Sequence, residues 1–226
     1  MKPMRHLRIV FLSSLIGLAG LALAGCGENP MFRNIVDVAK IVTSGVPDPP
    51  IDRQEIANLP YATIAAKLGK GQKAILVLST DQEGDLSWVA GDGGVLVTRE
   101  GRLVKTAGFE ENLRQTVIEA DDPLASGKTD IDGMTLNRTV DLMVKQSYVP
   151  IPVTSTFKVM GPEKIEIAGL QFDTVLVKEH NVSQTINWSY DNLYWMDPYD
   201  GFVWKSRQYF ARDLPAVEIE VLKPAG

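Results

Sequence analysis

Apolar positions recur along this chain with two different periods, and the change falls near residue 61. In residues 31–43, Ile35, Val38 and Val42 stand at helical spacing and Gly45 supplies a stop, which predicts a short amphipathic helix. Pro47, Pro49 and Pro50 cannot continue it, because each lacks a backbone donor and pushes its predecessor toward extended backbone. Residues 46–50 therefore read as a stiff spacer. Asp52 is placed to cap a further turn or two through Asn58, before Leu59-Pro60 ends them.

From Tyr61 onward the period is two. Ala62, Ile64, Ala66 and Leu68 alternate with Thr63, Ala65 and Lys67; residues 73–79 form a short apolar run; and 95–98 and 103–105 flank Glu100-Gly101. Gly84, Asp92-Gly93, Glu100-Gly101 and Asp200-Gly201 suit the positive φ of tight hairpin turns. Residues 110–120 read as a helical interruption, with Leu113 and Val117 four apart, and 121–133 as a polar loop. Longer strands are expected over 134–148, 153–160, 164–168, 170–182, 184–196 and 202–210. About ten strands with frequent turns predict a mainly β fold, an antiparallel β-sandwich or barrel with a short N-terminal helix and one or two small helices.

Alternation also assigns faces. If Phe202, Trp204 and Phe210 point inward, so do Ser206 and Gln208; Met134, Leu136, Val140, Leu142 and Val144 share their face with Arg138 and Gln146. An inward arginine and inward amides need partners, and Asp197 or Glu179 could supply the carboxylate. The result is a buried polar network or the floor of a polar ligand cavity.

Ahead of all this, Lys2, Arg5 and Arg8 precede 17 uncharged residues, 9–25, the layout of a secretory signal. The run closes on Leu23-Ala24-Gly25-Cys26, similar to the bacterial lipobox, in which small residues let a peptidase cut between Gly25 and Cys26 and the cysteine thiol receives a diacylglycerol. An uncleaved membrane helix needs about 20 apolar residues, and Ala22-Leu23-Ala24 also fits ordinary signal cleavage. The one cysteine of the chain stands at the lipobox position, which favours a covalent lipid on Cys26. Two or three acyl chains there, including palmitate, would make attachment effectively permanent. Gly27 follows where an aspartate would signal inner-membrane retention, which points to the outer membrane. The expected organisation is a signal peptide, 1–25, a lipid-anchored N-terminal helix and Pro-rich spacer, 26–50, and an antiparallel β domain, 51–226.

Without the signal, 201 residues carry 20 basic and 28 acidic side chains, with no cationic cluster for nucleic acid. His180 is then the sole histidine and no second cysteine exists, so a His/Cys metal site lacks ligands. No phosphate-binding glycine loop or nucleophile elbow is present, and no cofactor is expected. A carboxylate pair for glycoside chemistry has no sequence signature and stays open. Residues 188–210 concentrate nine of the 16 aromatics that follow the signal: Trp188, Tyr190, Tyr194, Trp195, Tyr199, Phe202, Trp204, Tyr209 and Phe210. They form either a sheet core or the lining of a groove for a sugar polymer or acyl chain. The candidate ligand-binding residues are thus Trp188, Tyr190, Trp195, Trp204, Arg138, Asp197, Ser206 and Gln208.

Leu59-Pro60-Tyr61-Ala62, the hairpin over 94–108 (GVLVTREGRLVKTAG) and residues 194–208 (YWMDPYDGFVWKSRQ), with the closing Leu222-Lys223-Pro224, resemble the YjbF/GfcB family of bacterial lipoproteins. The resemblance implies a role in capsule or exopolysaccharide production or export, at the outer membrane and beside polysaccharide-export proteins. It supplies no catalytic residues, so Trp195, Asp197, Pro198, Gly201, Trp204, Ser206 and Gln208 read as a fold signature. The leading expectation is a non-enzymatic lipoprotein that binds polysaccharide or an export component. The Asp197-Pro-Tyr-Asp-Gly201 turn is similar to that of half-barrel lipid carriers, which makes an acyl carrier the alternative, and a carboxylate-based glycan-modifying enzyme the third.

Overall fold

The computed structural model describes residues 47–144 and 147–226; the signal peptide, Gly25, Cys26 and the helix expected over 31–43 lie outside them. Among the described residues, twelve strands form one antiparallel sheet: β1 (Thr63–Leu68), β2 (Ala74–Gln82), β3 (Asp85–Ala90), β4 (Val95–Arg99), β5 (Arg102–Ala107), β6 (Leu113–Ile118), β7 (Thr135–Val144), β8 (Ser147–Ile167), β9 (Leu170–Ser183), β10 (Trp188–Met196), β11 (Val203–Gln208) and β12 (Val217–Lys223). Their order is β5-β4-β3-β2-β1-β12-β11-β10-β9-β8-β7-β6. Every consecutive pair is adjacent in this order except β5 and β6, and the first strand, β1, pairs with the last, β12. The end strands β5 and β6 lie against each other, and the Leu113 N–H of β6 donates to Thr106 Oγ1 of β5 at 2.9 Å. The sheet thus curls into a nearly closed barrel, which removes most of its exposed edge.

Strict alternation sets the lumen. Ile151, Val153, Ser155 and Phe157 of β8 are buried while Pro152, Thr154 and Thr156 are exposed, and β7 buries Leu136, Arg138, Val140 and Leu142 in the same way. Two apolar clusters fill the interior. One gathers Ile64, Trp88, Leu96, Val140, Ile151 and Ile219; the other gathers Leu124, Leu136, Phe157, Val177, Tyr194 and Met196. A third lies on the outside of the barrel wall. There β8 bends at Gly161 (φ 115°), where the register also shifts, and Ile165, Ile167 and Phe172 of the β8–β9 hairpin pack on Trp195, Trp204 and Leu222. Helix α1 (Arg53–Asn58), capped by the Asp52 carboxylate as expected, adds Ile56 to that cluster.

Several expectations are corrected. Residues 113–118 form β6, not a helix: a bulge between Leu113 and Gln115 turns Leu113 and Thr116 inward, and Val117 is 43% exposed, so its helical spacing from Leu113 buries nothing. Thr116-Val117-Ile118 is a β-branched run that suits a strand better. The loop over 121–133 is anchored by a 3₁₀ turn at Pro123–Ser126, with Leu124 and Ile131 in the core. Residues 153–160 and 164–168 are one strand, β8, because Gly161-Pro162 bends it without breaking the ladder. The spacer at 47–50 is extended, and Asp48 ties it to the β1–β2 corner through Lys67 Nζ at 3.0 Å and the Lys73 N–H at 3.0 Å.

Candidate functional site

Between the two inner apolar clusters lies a belt of buried polar side chains. Arg138 comes from β7, Ser155 from β8, Glu179 and Asn181 from β9, Asn192 and Tyr194 from β10, Ser206 and Gln208 from β11, and Arg102 from β5. Each occupies an inward position in the alternation of its own strand, which brings them to one level of the barrel. Glu179 is fully buried and sits at the centre. Its Oε1 accepts from Arg102 Nη1 at 2.7 Å and Arg138 Nη1 at 3.1 Å, and its Oε2 from Asn192 Nδ2 at 2.9 Å. The single proton of the Tyr194 hydroxyl has two acceptors in reach, Glu179 Oε2 at 3.0 Å and Gln208 Oε1 at 3.2 Å; the carboxylate is the stronger.

Arg102 also grips Asp122 bidentately, at 2.5 and 2.9 Å, and Arg138 donates to Ser155 Oγ and to Asn181 Oδ1 at 2.9 Å. Two guanidiniums meet two carboxylates, so the belt is neutral and its donors and acceptors are matched. Burial alone would push the Glu179 carboxyl up, but Arg102 and Arg138 outweigh it and hold the group down at about 2. Burial, reinforced by the negative charge of Glu179, raises the Tyr194 phenol well above its ordinary range. A carboxylate held this low is the opposite of a general acid, which needs its proton near neutral pH. This chemistry locks strands together.

Gln208 has a second task. Its Nε2 donates to the Gly101 carbonyl at 2.8 Å and its Oε1 accepts from the Leu103 N–H at 2.9 Å, so one side-chain amide takes the places a neighbouring strand would occupy along the start of β5. The approach is close: a Cβ on Gly101 would lie 2.4 Å from Val203 Cβ.

The eight candidate ligand residues do not converge. Arg138, Ser206 and Gln208 join the belt, with Glu179 as the carboxylate that Arg138 needed. Asp197 stays outside it, capping its own turn through the Tyr199 N–H at 2.9 Å and accepting from Trp204 Nε1 at 3.2 Å. Trp204 does not face inward with Ser206. A bulge between the Trp195–Lys205 and Met196–Val203 pairs turns it onto the outer cluster beside Trp195, where Phe172 lies 4.5 Å away, and Val203 takes the inward place. Trp188 and Tyr190 are half-buried and stacked at 4.0 Å, beside a cavity of about 20 Å³ that they share with Arg138.

Sequence reasoning missed Arg102, Asp122, Asn181 and Asn192; the available signal was polar residues in inward register within alternating strands. It also set His180 aside. That ring sits on the outer face of β9, with Nδ1 2.6 Å from Asp191 Oδ1 and Nε2 3.4 Å from Ser189 Oγ. The order resembles a Ser-His-Asp relay, but no cavity among the described residues is lined by His180, Ser189 or Asp191. One cavity, about 420 Å³, opens inside the barrel among β1, β3, β4, β11 and β12, on walls that include Ile64, Trp88 and Ile219. Among the described residues, no group of three or more His, Cys, Asp or Glu side chains is placed to hold a metal.

Residues 36–222 match the YjbF family, described as group 4 capsule polysaccharide lipoprotein GfcB, YjbF. The chain belongs to the YjbF family. Its relatives in Escherichia coli K12 include the uncharacterized lipoprotein GfcB, 29% identical over 211 residues, spanning 93% of this chain and 98% of GfcB. The uncharacterized lipoprotein YjbF is 29% identical over 181 residues, spanning 80% of this chain and 84% of YjbF. The crystal structure of the hypothetical lipoprotein YmcC from the same organism superposes with a TM-score of 0.71 at 27% identity, covering 88% of this chain and 99% of that one. The YjbF match includes the 194–208 motif, whose residues have structural work here. Gly201 has φ 72°, and a Cβ on it would meet the Gly127 carbonyl carbon at 2.7 Å. Asp197 caps the turn and Gln208 braces β5.

Proposed function

We propose that this YjbF-family protein is a non-enzymatic lipoprotein of the cell envelope, anchored in the outer membrane through a diacylglyceryl Cys26 and facing the periplasm. There it assists capsule or exopolysaccharide production or export by binding the polysaccharide or an export component. The observation that carries this reading is the family match over residues 36–222, whose description names capsule polysaccharide. The lipobox ending at Cys26 supplies the anchor. A belt in which both carboxylates are neutralised by arginine supports a scaffold rather than a catalyst. The test replaces the native gene with Cys26→Ser in a strain that secretes polysaccharide, with mass spectrometry of the mature wild-type protein. Acylated Cys26, fractionation with the outer membrane, and loss of secretion in the variant are expected. A bare thiol, or secretion unchanged by deleting the gene, would overturn it.

A further inference from the structure

The cavity of about 420 Å³ inside the barrel is of the size that small ligands occupy, about 300–1,000 Å³, and its two ends differ in chemistry. Its depth is hydrocarbon. Ile64, Trp88, Leu124 and Ile219, all nearly fully buried, form the walls with the half-buried Leu86 and Val221, and the Trp88 indole is already satisfied by Thr98 Oγ1 at 2.8 Å. The mouth is acidic. Asp81 near the end of β2, Glu100 in the β4–β5 turn and Asp200 in the β10–β11 turn each contribute a carboxylate to the lining, and among the described residues no Lys, Arg or His lines the cavity. Asp81 and Asp200 each commit one oxygen to their own turn, accepting from the Gly84 and Phe202 N–H groups at 3.2 and 2.9 Å, which leaves the other oxygen able to accept from a ligand.

We infer that this cavity binds a single-chain amphiphile, with its alkyl tail among Leu86, Trp88 and Val221 and an uncharged, hydroxyl-rich head at the three carboxylates. The tail gains by leaving water at about 0.8 kcal/mol per buried methylene. The head donates hydroxyls to the carboxylates, whereas an anionic head would face like charge with no cation in the lining to offset it. This site goes beyond the polysaccharide reading and stands on the cavity alone. It also differs from a groove built of the 188–210 aromatics, of which only Phe202 lines it.

The experiment is titration calorimetry of the mature domain with dodecyl maltoside, dodecanoate and maltose, each below any micelle-forming concentration. Dodecyl maltoside is expected to bind saturably, dodecanoate at least tenfold more weakly, and maltose not at all. Val221→Trp, which fills the cavity from a half-buried position, should abolish binding; Leu86→Trp serves the same end if the first variant does not fold. The triple variant Asp81→Asn/Glu100→Gln/Asp200→Asn should close the gap between the two dodecyl compounds. No binding of dodecyl maltoside, equal binding of maltose or dodecanoate by the wild type, or full binding by a folded cavity-filled variant would overturn the assignment. None of these outcomes touches the secretion phenotype, so the two readings fail separately.

Discussion

Replacing Glu179 with Gln removes one negative charge from the centre of the belt and leaves its shape intact. Asp122 still neutralises Arg102, but Arg138 keeps only neutral partners, among them Ser155 and Asn181, in a nearly fully buried site. Breaking a buried ion pair from one side costs about 3–5 kcal/mol. A second route to the magnitude agrees: a drop from the ordinary 4.5 to about 2 corresponds to about 3 kcal/mol of stability at neutral pH. Because the folded-state value is the lower one, this contribution is present above about pH 5 and is lost as pH falls toward 2. Urea denaturation across pH 2–7 reads both effects. Glu179→Gln should lose about 3–5 kcal/mol at pH 7, a fall in Tm of roughly 10 °C for a domain of this size, and its stability should decline less steeply between pH 5 and 2 than that of the wild type. The double variant Arg138→Met/Glu179→Met should cost less than Glu179→Gln alone, since an apolar pair leaves no charge uncompensated. A loss below about 1 kcal/mol, or an acid limb as steep in Glu179→Gln as in the wild type, would refute the account.

Gln208→Leu should leave the Gly101 carbonyl and Leu103 N–H unpaired, at about 1–3 kcal/mol each, and the Leu103 amide should exchange faster with deuterium; unchanged protection there would remove the bracing role. Gly101→Ala should destabilise more than Gly84→Ala. Both positions have positive φ, 79° and 87°, and so share about 1–2 kcal/mol of left-handed strain, but only at Gly101 does the added methyl collide with Val203. Equal losses by thermal denaturation would show that the contact relaxes.

The β class, the caps and the turns were legible in the residues alone, because these depend on neighbours within a few residues. Two-residue alternation marked the strands, Asp52 capped α1, and the glycines at 84, 93, 101 and 201 turned hairpins with positive φ. The sequence also exposed Arg138 as an inward charge in need of a carboxylate, and offered Glu179 among two choices. Tertiary structure decided between Glu179 and Asp197, because the choice depends on which strands face each other across the lumen. It likewise decided the faces of Trp204 and Leu113. A single bulge residue inverts the alternation beyond it, and pattern alone carries no trace of where the ladder slips. The cavity inside the barrel belonged wholly to the fold: its walls come from strands as distant as β1 and β12, and its acidic mouth exists only where three separate hairpins meet.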